Sequence, residues 1–222
     1  MTISDALKSR RSIRAFLPTN VAEVTLKALL ASAAHSPSGG NLQPWEVAVV
    51  TGRAKLALED KIAAAFAQGG KPVPEYSYYP RTWREPFKMR RMECGKQLYD
   101  ALKIGRDDKA GQRAQWGANF RAFDAPVLLL FLVPGHMEKG AFVDMGLFMQ
   151  SVMLAALDHG LATCPQAAFT EYAALIKEHL GYPADHILIA GMALGYADDS
   201  APVNHYHTSR APVSSFTRFF GE

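Results

Sequence analysis

Five residues near the amino end, Arg10-Arg11-Ser12-Ile13-Arg14, have the types and spacing to hold an anion. In an extended segment side chains alternate, so Arg10, Ser12 and Arg14 project from one face. Two guanidinium forks around a hydroxyl suit phosphate, because arginine donates to such oxygens in pairs. The same five residues also read as a solvated basic stretch. A second group is Ser36-Pro37-Ser38-Gly39-Gly40-Asn41-Leu42-Gln43-Pro44-Trp45. Its glycines let backbone amides approach a planar ligand, and Asn41 and Gln43 carry paired donors and acceptors that can read the edge of a heterocycle. An ordinary turn anchored by Trp45 is the alternative. The third, Thr163-Cys164-Pro165-Gln166-Ala167-Ala168-Phe169, reads as a run of small residues leading into a helix, which leaves backbone N–H groups open to a ligand. Cys164 lacks an adjacent histidine and reads as a buried structural thiol. Arg210 is a surface charge unless the chain around it docks near a phosphate.

The missing motifs narrow the chemistry. There is no G-x-G-x-x-G dinucleotide fingerprint and no phosphate loop. H-E-x-x-H and G-x-S-x-G are absent as well, so hydrolysis is unsupported. His205 and His207 sit at strand spacing but lack a third metal ligand, and no metal is expected.

The elements that must position these residues follow from periodicity. A short helix can start after Ser4, and Arg10–Phe16 reads as extended up to Pro18. Asn20 with Glu23 resembles a capping box opening a helix that buries Leu26, Leu29, Leu30 and Ala33. Strands are expected at Glu46–Thr51, Pro126–Val133 and His186–Leu194, the second central because it is apolar on both faces. Helices are expected at about Arg53–Gln68, Arg84–Ile104, Asp107–Phe123, Ala141–His159 and Thr170–Leu180. The helix Ala141–His159 is apolar nearly all round and reads as buried, with Gly160 as its stop. Gly69–Trp83 is a connection rich in proline and tyrosine. Beyond Gly195 there is little periodicity, yet Phe216, Phe219 and Phe220 argue for docking, with a second subunit as one natural surface. The order of elements gives an α+β fold, a few-stranded sheet flanked by helices.

With 222 residues, of which 49% are hydrophobic and 20% charged, the chain is sized for one domain with a full core. Two cysteines exclude a disulfide scaffold and fit a reducing, cytoplasmic setting. The first residues lack the apolar stretch of a secretory signal, and the longest apolar run, Pro126–Pro134, is far short of a membrane span. A net charge of +3 does not point to nucleic acid.

Taken in order, Arg10–Phe16, Ser36–Trp45, Cys164–Ala168, Gly191–Tyr196 and Arg210–Pro212 resemble the FMN-dependent nitroreductase family. The resemblance runs over essentially the whole chain. It implies one FMN-binding domain over residues 1–222, built on a mostly antiparallel sheet, with a helical lid excursion over about 69–123. It also implies an intertwined homodimer in which an arm, residues 196–222, wraps the partner. Carried over by position, Arg10 and Arg210 would hold the FMN phosphate with Ser12 assisting and Arg11 beside them. Arg14 would lie near the ring edge where reduction places negative charge. Pro37, Ser38 and Gly39 would pack on the ring from the other subunit, while Asn41 and Gln43 support that loop or meet the ribityl chain. Pro165, Gln166, Ala167 and Ala168 would lie by the flavin, with a backbone N–H of Ala167 or Ala168 directed at N5. Many relatives carry an acidic residue and a glycine where this chain has the two alanines. Tyr78, Tyr79, Trp83 and Phe87 become candidates for the substrate-channel wall, or else an aromatic flap packed on the core. The implied reaction is ping-pong: NADH or NADPH gives a hydride to flavin N5 and leaves, and a planar electron-poor nitroarene or quinone is then reduced in the same place, with no catalytic side chain. Enone reduction, reductive dehalogenation or flavin fragmentation on the same scaffold are alternatives. A non-catalytic module binding anions or nucleic acid is another.

Overall fold

In β2, Val127–Val133, all seven residues are buried, and their alternation builds two cores at once. Leu128, Leu130 and Leu132 pack on one side with Leu58, Ile62, Phe120, Phe169 and Ile176. Val127, Leu129, Phe131 and Val133 pack on the other with Leu26, Leu29, Met145, Phe148 and Val152. A strand buried on both faces must lie inside the sheet. The computed structural model, which describes residues 1–69 and 73–221, places it there: β1, Glu46–Thr51, pairs with β2, β2 with β4, Ile187–Gly195, and β4 with β3, Ala162–Gln166, all antiparallel. The fold is the expected α+β arrangement.

Helices cover the two faces. The first core is closed by α3, Gly52–Ala67, and α7, Ala173–Leu180. The second is closed by α2, Glu23–Ala33, and α6, Gly140–Asp158. Among the described residues α6 is the one helix long and apolar enough to cross a membrane, but its Met145, Phe148 and Val152 face is built into the core. Its other face leaves Val143 and Leu147 exposed, so it is not buried all round as its composition suggested. Before α2, the helix α1, Ile3–Ser9, is opened by a capping box from Thr2 and Asp5 rather than by Ser4.

Three further expectations are corrected. Asn20 does not cap α2; the N-cap is Ala22, without a side-chain bond, and Val21 and Leu26 share one apolar cluster across the helix start. That contact is a hydrophobic staple, which fixes the entry without a polar cap. The segment Thr163–Gln166, expected as small residues leading into a helix, is a strand; it lies at the edge of the four paired strands, where Pro165 costs no ladder bond. The single helix expected over Thr170–Leu180 is a 3₁₀ stretch, Ala167–Tyr172, followed by α7, because Phe169 and Thr170 turn inward before regular helix begins.

The excursion between β1 and β2 holds α4, Phe87–Ala101, and α5, Lys109–Ala118, shorter than expected, then a 3₁₀ stretch, Asn119–Asp124. Ala122, Phe123 and Asp124 take positive φ there, which ends α5 early while burying Phe120 and Phe123. Of the connection expected over Gly69–Trp83, positions 70–72 lie outside the described residues, as does Glu222 at the end of the expected arm.

Candidate functional site

The Arg10–Arg14 segment is extended because it adds to the edge of β3. Ser12 bridges Thr163 in parallel, and the Ile13 amide donates to the Thr163 carbonyl at 3.0 Å. Alternation then does what the sequence suggested. Ile13 is buried in the core, while Arg10, Ser12 and Arg14 all bear on the thiol of Cys164. That thiol is 1% exposed, and burial pushes its pKa up against the opposing pull of Arg14, Ser12 and Arg10. It is an inert core group.

Arg10 has a lowered pKa, first because it is partly buried and second because the positive charge of Arg210 stands beside it. The fold therefore brings together two guanidinium groups from opposite ends of the chain. Among the described residues neither has an acidic partner; Arg210 donates only to Thr208 and Ser209 of its own loop. Arg11, on the other side of the segment, donates to the Asn204 carbonyl at 2.7 Å.

Arg14 is fixed by residues that sequence reasoning missed. Buried Asn204 accepts from the Arg14 amide at 2.8 Å and donates to the carbonyls of Ala15 and Asp198 at 2.8 and 2.9 Å. Tyr206 accepts from the Arg14 guanidinium at 2.6 Å, and Phe123 lies 5.9 Å beneath it. No sequence signal marked Asn204 or Tyr206, because both act across the whole length of the chain. Their neighbours His205 and His207 diverge, the first toward the Asp199 carbonyl and the second toward Arg11.

Arg14 also borders a cavity of about 910 Å³. Pro165, Gln166, Ala167 and Ala168 line it from the end of β3, Phe123 and Trp116 from the excursion, and Tyr76, Tyr78 and Tyr79 from the connection after α3. This is the size and aromatic character of a small-molecule site. Gln166 is 3% exposed; its amide nitrogen donates to the Asn119 carbonyl at 2.8 Å, while its buried Oε1 has no partner among the described residues. An orphan acceptor of this kind is costly unless a ligand supplies a donor. The first amides of the 3₁₀ stretch at Ala167 have no acceptor within it. Burial raises the Tyr76 pKa to about 12, with Tyr78 adding to it, so its hydroxyl stays protonated. Trp83 and Phe87 do not line the cavity: Trp83 lies 5.1 Å under Arg91, itself a lining residue, and Phe87 lies under Arg90.

The Ser36–Trp45 loop lies elsewhere in the same chain. The Gly39 amide donates to Asp144 of α6 at 3.2 Å, and the Gln43 amide to Ser38 Oγ at 3.0 Å. Gly40, Asn41 and Gln43 all take positive φ, which suits glycine and asparagine and folds the loop outward. Pro37, Gly39, Asn41 and Gln43 are exposed, Ser38 is partly so, and none borders the cavity.

The arrangement can take a phosphate at Arg10 and Arg210, a planar heteroaromatic in the cavity, and developing negative charge at Arg14. It sits on an α+β scaffold whose described residues form a four-stranded antiparallel sheet, and the chain belongs to the nitroreductase family, whose profile matches residues 7–196. It is 39% identical over 223 residues to a chloronitrobenzene nitroreductase of Comamonas testosteroni, covering 99% of this chain and 97% of that one. It is 37% identical to a nitrobenzene nitroreductase of Ectopseudomonas oleovorans, over 99% and 97%. Among solved structures, the FMN and NADPH-dependent nitroreductase NfnB from sphigopyxis sp. strain HMH superposes with a TM-score of 0.97 at 42% identity, with both chains fully covered. The FMN-dependent nitroreductase NfnB from Mycobacterium smegmatis, in complex with NADPH, gives 0.93 at 35% identity over 98% and 97%.

Proposed function

We propose that this chain is an FMN-dependent nitroreductase that uses NADPH or NADH to reduce planar, electron-poor nitroaromatics or quinones, working as a cytoplasmic homodimer. The observation that carries this reading is an aromatic-walled cavity edged by Arg14, on the same extended segment as Arg10, which feels the charge of Arg210; among the described residues neither Arg10 nor Arg210 has an acidic partner. FMN held there would supply the redox chemistry, a two-electron hydride carrier between the nicotinamide and a second substrate, and the open cavity leaves one place for the two to use in turn.

The chain's own residues then have separate tasks. Arg10 and Arg210 bind the phosphate, with Ser12 beside them. Arg14, held by Asn204 and Tyr206, keeps a positive charge where negative charge accumulates. The orphan Oε1 of Gln166 and the amides at Ala167 and Ala168 offer an acceptor and donors to the cofactor. Those donors belong to the backbone, so they survive the presence of alanine at both positions. Pro37, Ser38, Gly39, Asn41 and Gln43 serve a partner's site, which agrees with their exposure in a single chain. Tyr78 and Tyr79 form the substrate wall.

The purified protein is expected to be yellow, to release FMN on denaturation, and, without oxygen, to oxidise more than one equivalent of NADPH per FMN only when nitrobenzene or a quinone is present. A colourless protein that cannot be reconstituted with FMN overturns the proposal.

A further inference from the structure

The strand β4 contains a bulge. In its register with β2, Phe131 faces Ala190 and Leu132 faces Leu188, so Ile189 has no counterpart. On the other side β3 pairs only from Gly191 onward, which leaves the beginning of β4 with open backbone groups on that edge. Such groups need partners. The segment 73–80, which has no regular structure of its own, supplies them. One carboxylate oxygen of Glu75 accepts from the Leu188 amide at 3.0 Å, and the Tyr76 hydroxyl donates to the Ile189 carbonyl at 2.5 Å.

The other oxygen of Glu75 pairs with Lys177 of α7, whose side chain is only 4% exposed. Lys177 also donates to the carbonyls of Ala184 and His186 at 2.6 and 2.5 Å. All three donors of the ammonium group are thereby satisfied, as a buried polar group requires. From this anchor aromatic contacts run outward: Tyr76 meets Phe142 edge-on at 5.3 Å and Tyr78 at 6.4 Å, and Tyr78 meets Tyr79 at 4.8 Å. Tyr78 and Tyr79 are themselves more than half exposed; Trp83 at 5.5 Å and Arg91 at 6.0 Å flank Tyr79, while Tyr78 leans on Tyr76 and Tyr79.

We propose that the Lys177–Glu75 pair is a positioning latch. It pins segment 73–80 to the bulge of β4 and so holds Tyr76, Tyr78 and Tyr79 as the wall that receives a planar aromatic substrate. Neither latch residue touches the substrate; both act through the tyrosines. The inference rests on reading the cavity as a substrate site, and it adds the residues that set that site's shape.

Lys177→Met removes the buried donor of the Ala184 and His186 carbonyls and risks the whole fold, so the test is made with Glu75→Ala and Tyr76→Phe holoenzymes, with Glu75→Gln as the conservative variant. In Glu75→Ala, KM for nitrobenzene is expected to rise about tenfold while kcat stays within about twofold. The dissociation constant of benzoate, a planar aromatic with no nitro group to reduce, is expected to rise in parallel. Backbone amides of residues 73–80 lose hydrogen-exchange protection, those of β2 do not, and bound FMN is unchanged. Tyr76→Phe shows a smaller effect of the same kind, and Glu75→Gln, which still accepts from Leu188, recovers part of the loss. The latch is refuted by unaltered KM, benzoate affinity and exchange in Glu75→Ala, or by a joint fall of FMN content, kcat and β2 protection. Wild-type protein that fails to reduce nitrobenzene counts against the proposed function alone, since benzoate binding and exchange still decide the latch.

Discussion

Two guanidinium groups side by side raise the free energy of a folded chain unless an anion relieves them. Arg10 bears that burden in this protein, partly buried and next to Arg210. Each charge-assisted bond to a phosphate contributes on the order of 1.5–3 kcal/mol, so Arg10→Ala or Arg210→Ala is expected to weaken FMN binding by roughly ten- to a hundredfold. The double variant falls short of the product of the two, because both side chains would share one phosphate. Thermal stability without FMN should stay level or improve in either single variant, since the mutual repulsion is gone. Equilibrium dialysis against FMN and thermal melts of the flavin-free protein decide this; equal FMN affinity in wild type and variants rules out the phosphate assignment. The alternation of Arg10, Ser12 and Arg14 was legible because it needs only an extended backbone, and the loop at Ser36 was legible as a turn. Asn204 and Tyr206 were not, because their role exists only once chain ends distant in sequence meet.

At the scale of elements, the cavity depends on how β3 and the following 3₁₀ stretch sit on β4. Gly191 pairs with Gln166 across that boundary, and a Cβ at Gly191 would overlap the ring of Phe169. Phe169 is fully buried and cannot swing away without disturbing Phe120, which packs in turn on Tyr172, so the glycine sets how closely the 3₁₀ stretch approaches β4. Gly191→Ala is therefore expected to cost about 1–3 kcal/mol of stability, as overpacking does. It should also lower FMN affinity, because Gln166–Ala168 must move with Phe169. Urea unfolding and FMN titration measure the two effects; a variant as stable as wild type shows that the ring relaxes freely. Three strands, Glu46–Thr51, Pro126–Val133 and His186–Leu194, were readable from long apolar runs, and α6 from its length. The fourth was not, since a five-residue edge strand containing Pro165 carries no periodic signal. Lys177 was equally hidden: nothing in AALIKEHL distinguishes a lysine held by three acceptors from one facing water.

The single chain leaves unfinished business at its surface. Phe216, Phe219 and Phe220 are 70%, 88% and 91% exposed, and Val143 and Leu147 of α6 lie open as well. Isolated apolar residues on a surface need no explanation, but three phenylalanines clustered within five residues do. The Ser36–Gln43 loop likewise lines no part of its own chain's cavity. The proposed twofold dimer would answer both: the arm would cover the partner, and each loop would reach the other subunit's cofactor. Burying a phenylalanine contributes roughly 1.5–3 kcal/mol, so removing residues 213–222, which spares Asn204, Tyr206 and Arg210, should loosen the dimer by at least about a hundredfold. Sedimentation of the shortened chain is expected to shift from dimer to monomer as it is diluted. FMN should dissociate over the same concentration range, since each site would lose the partner's loop although every residue of its own phosphate site is present. A shortened chain that dimerises and retains FMN as tightly as the full chain would place the three phenylalanines outside the interface.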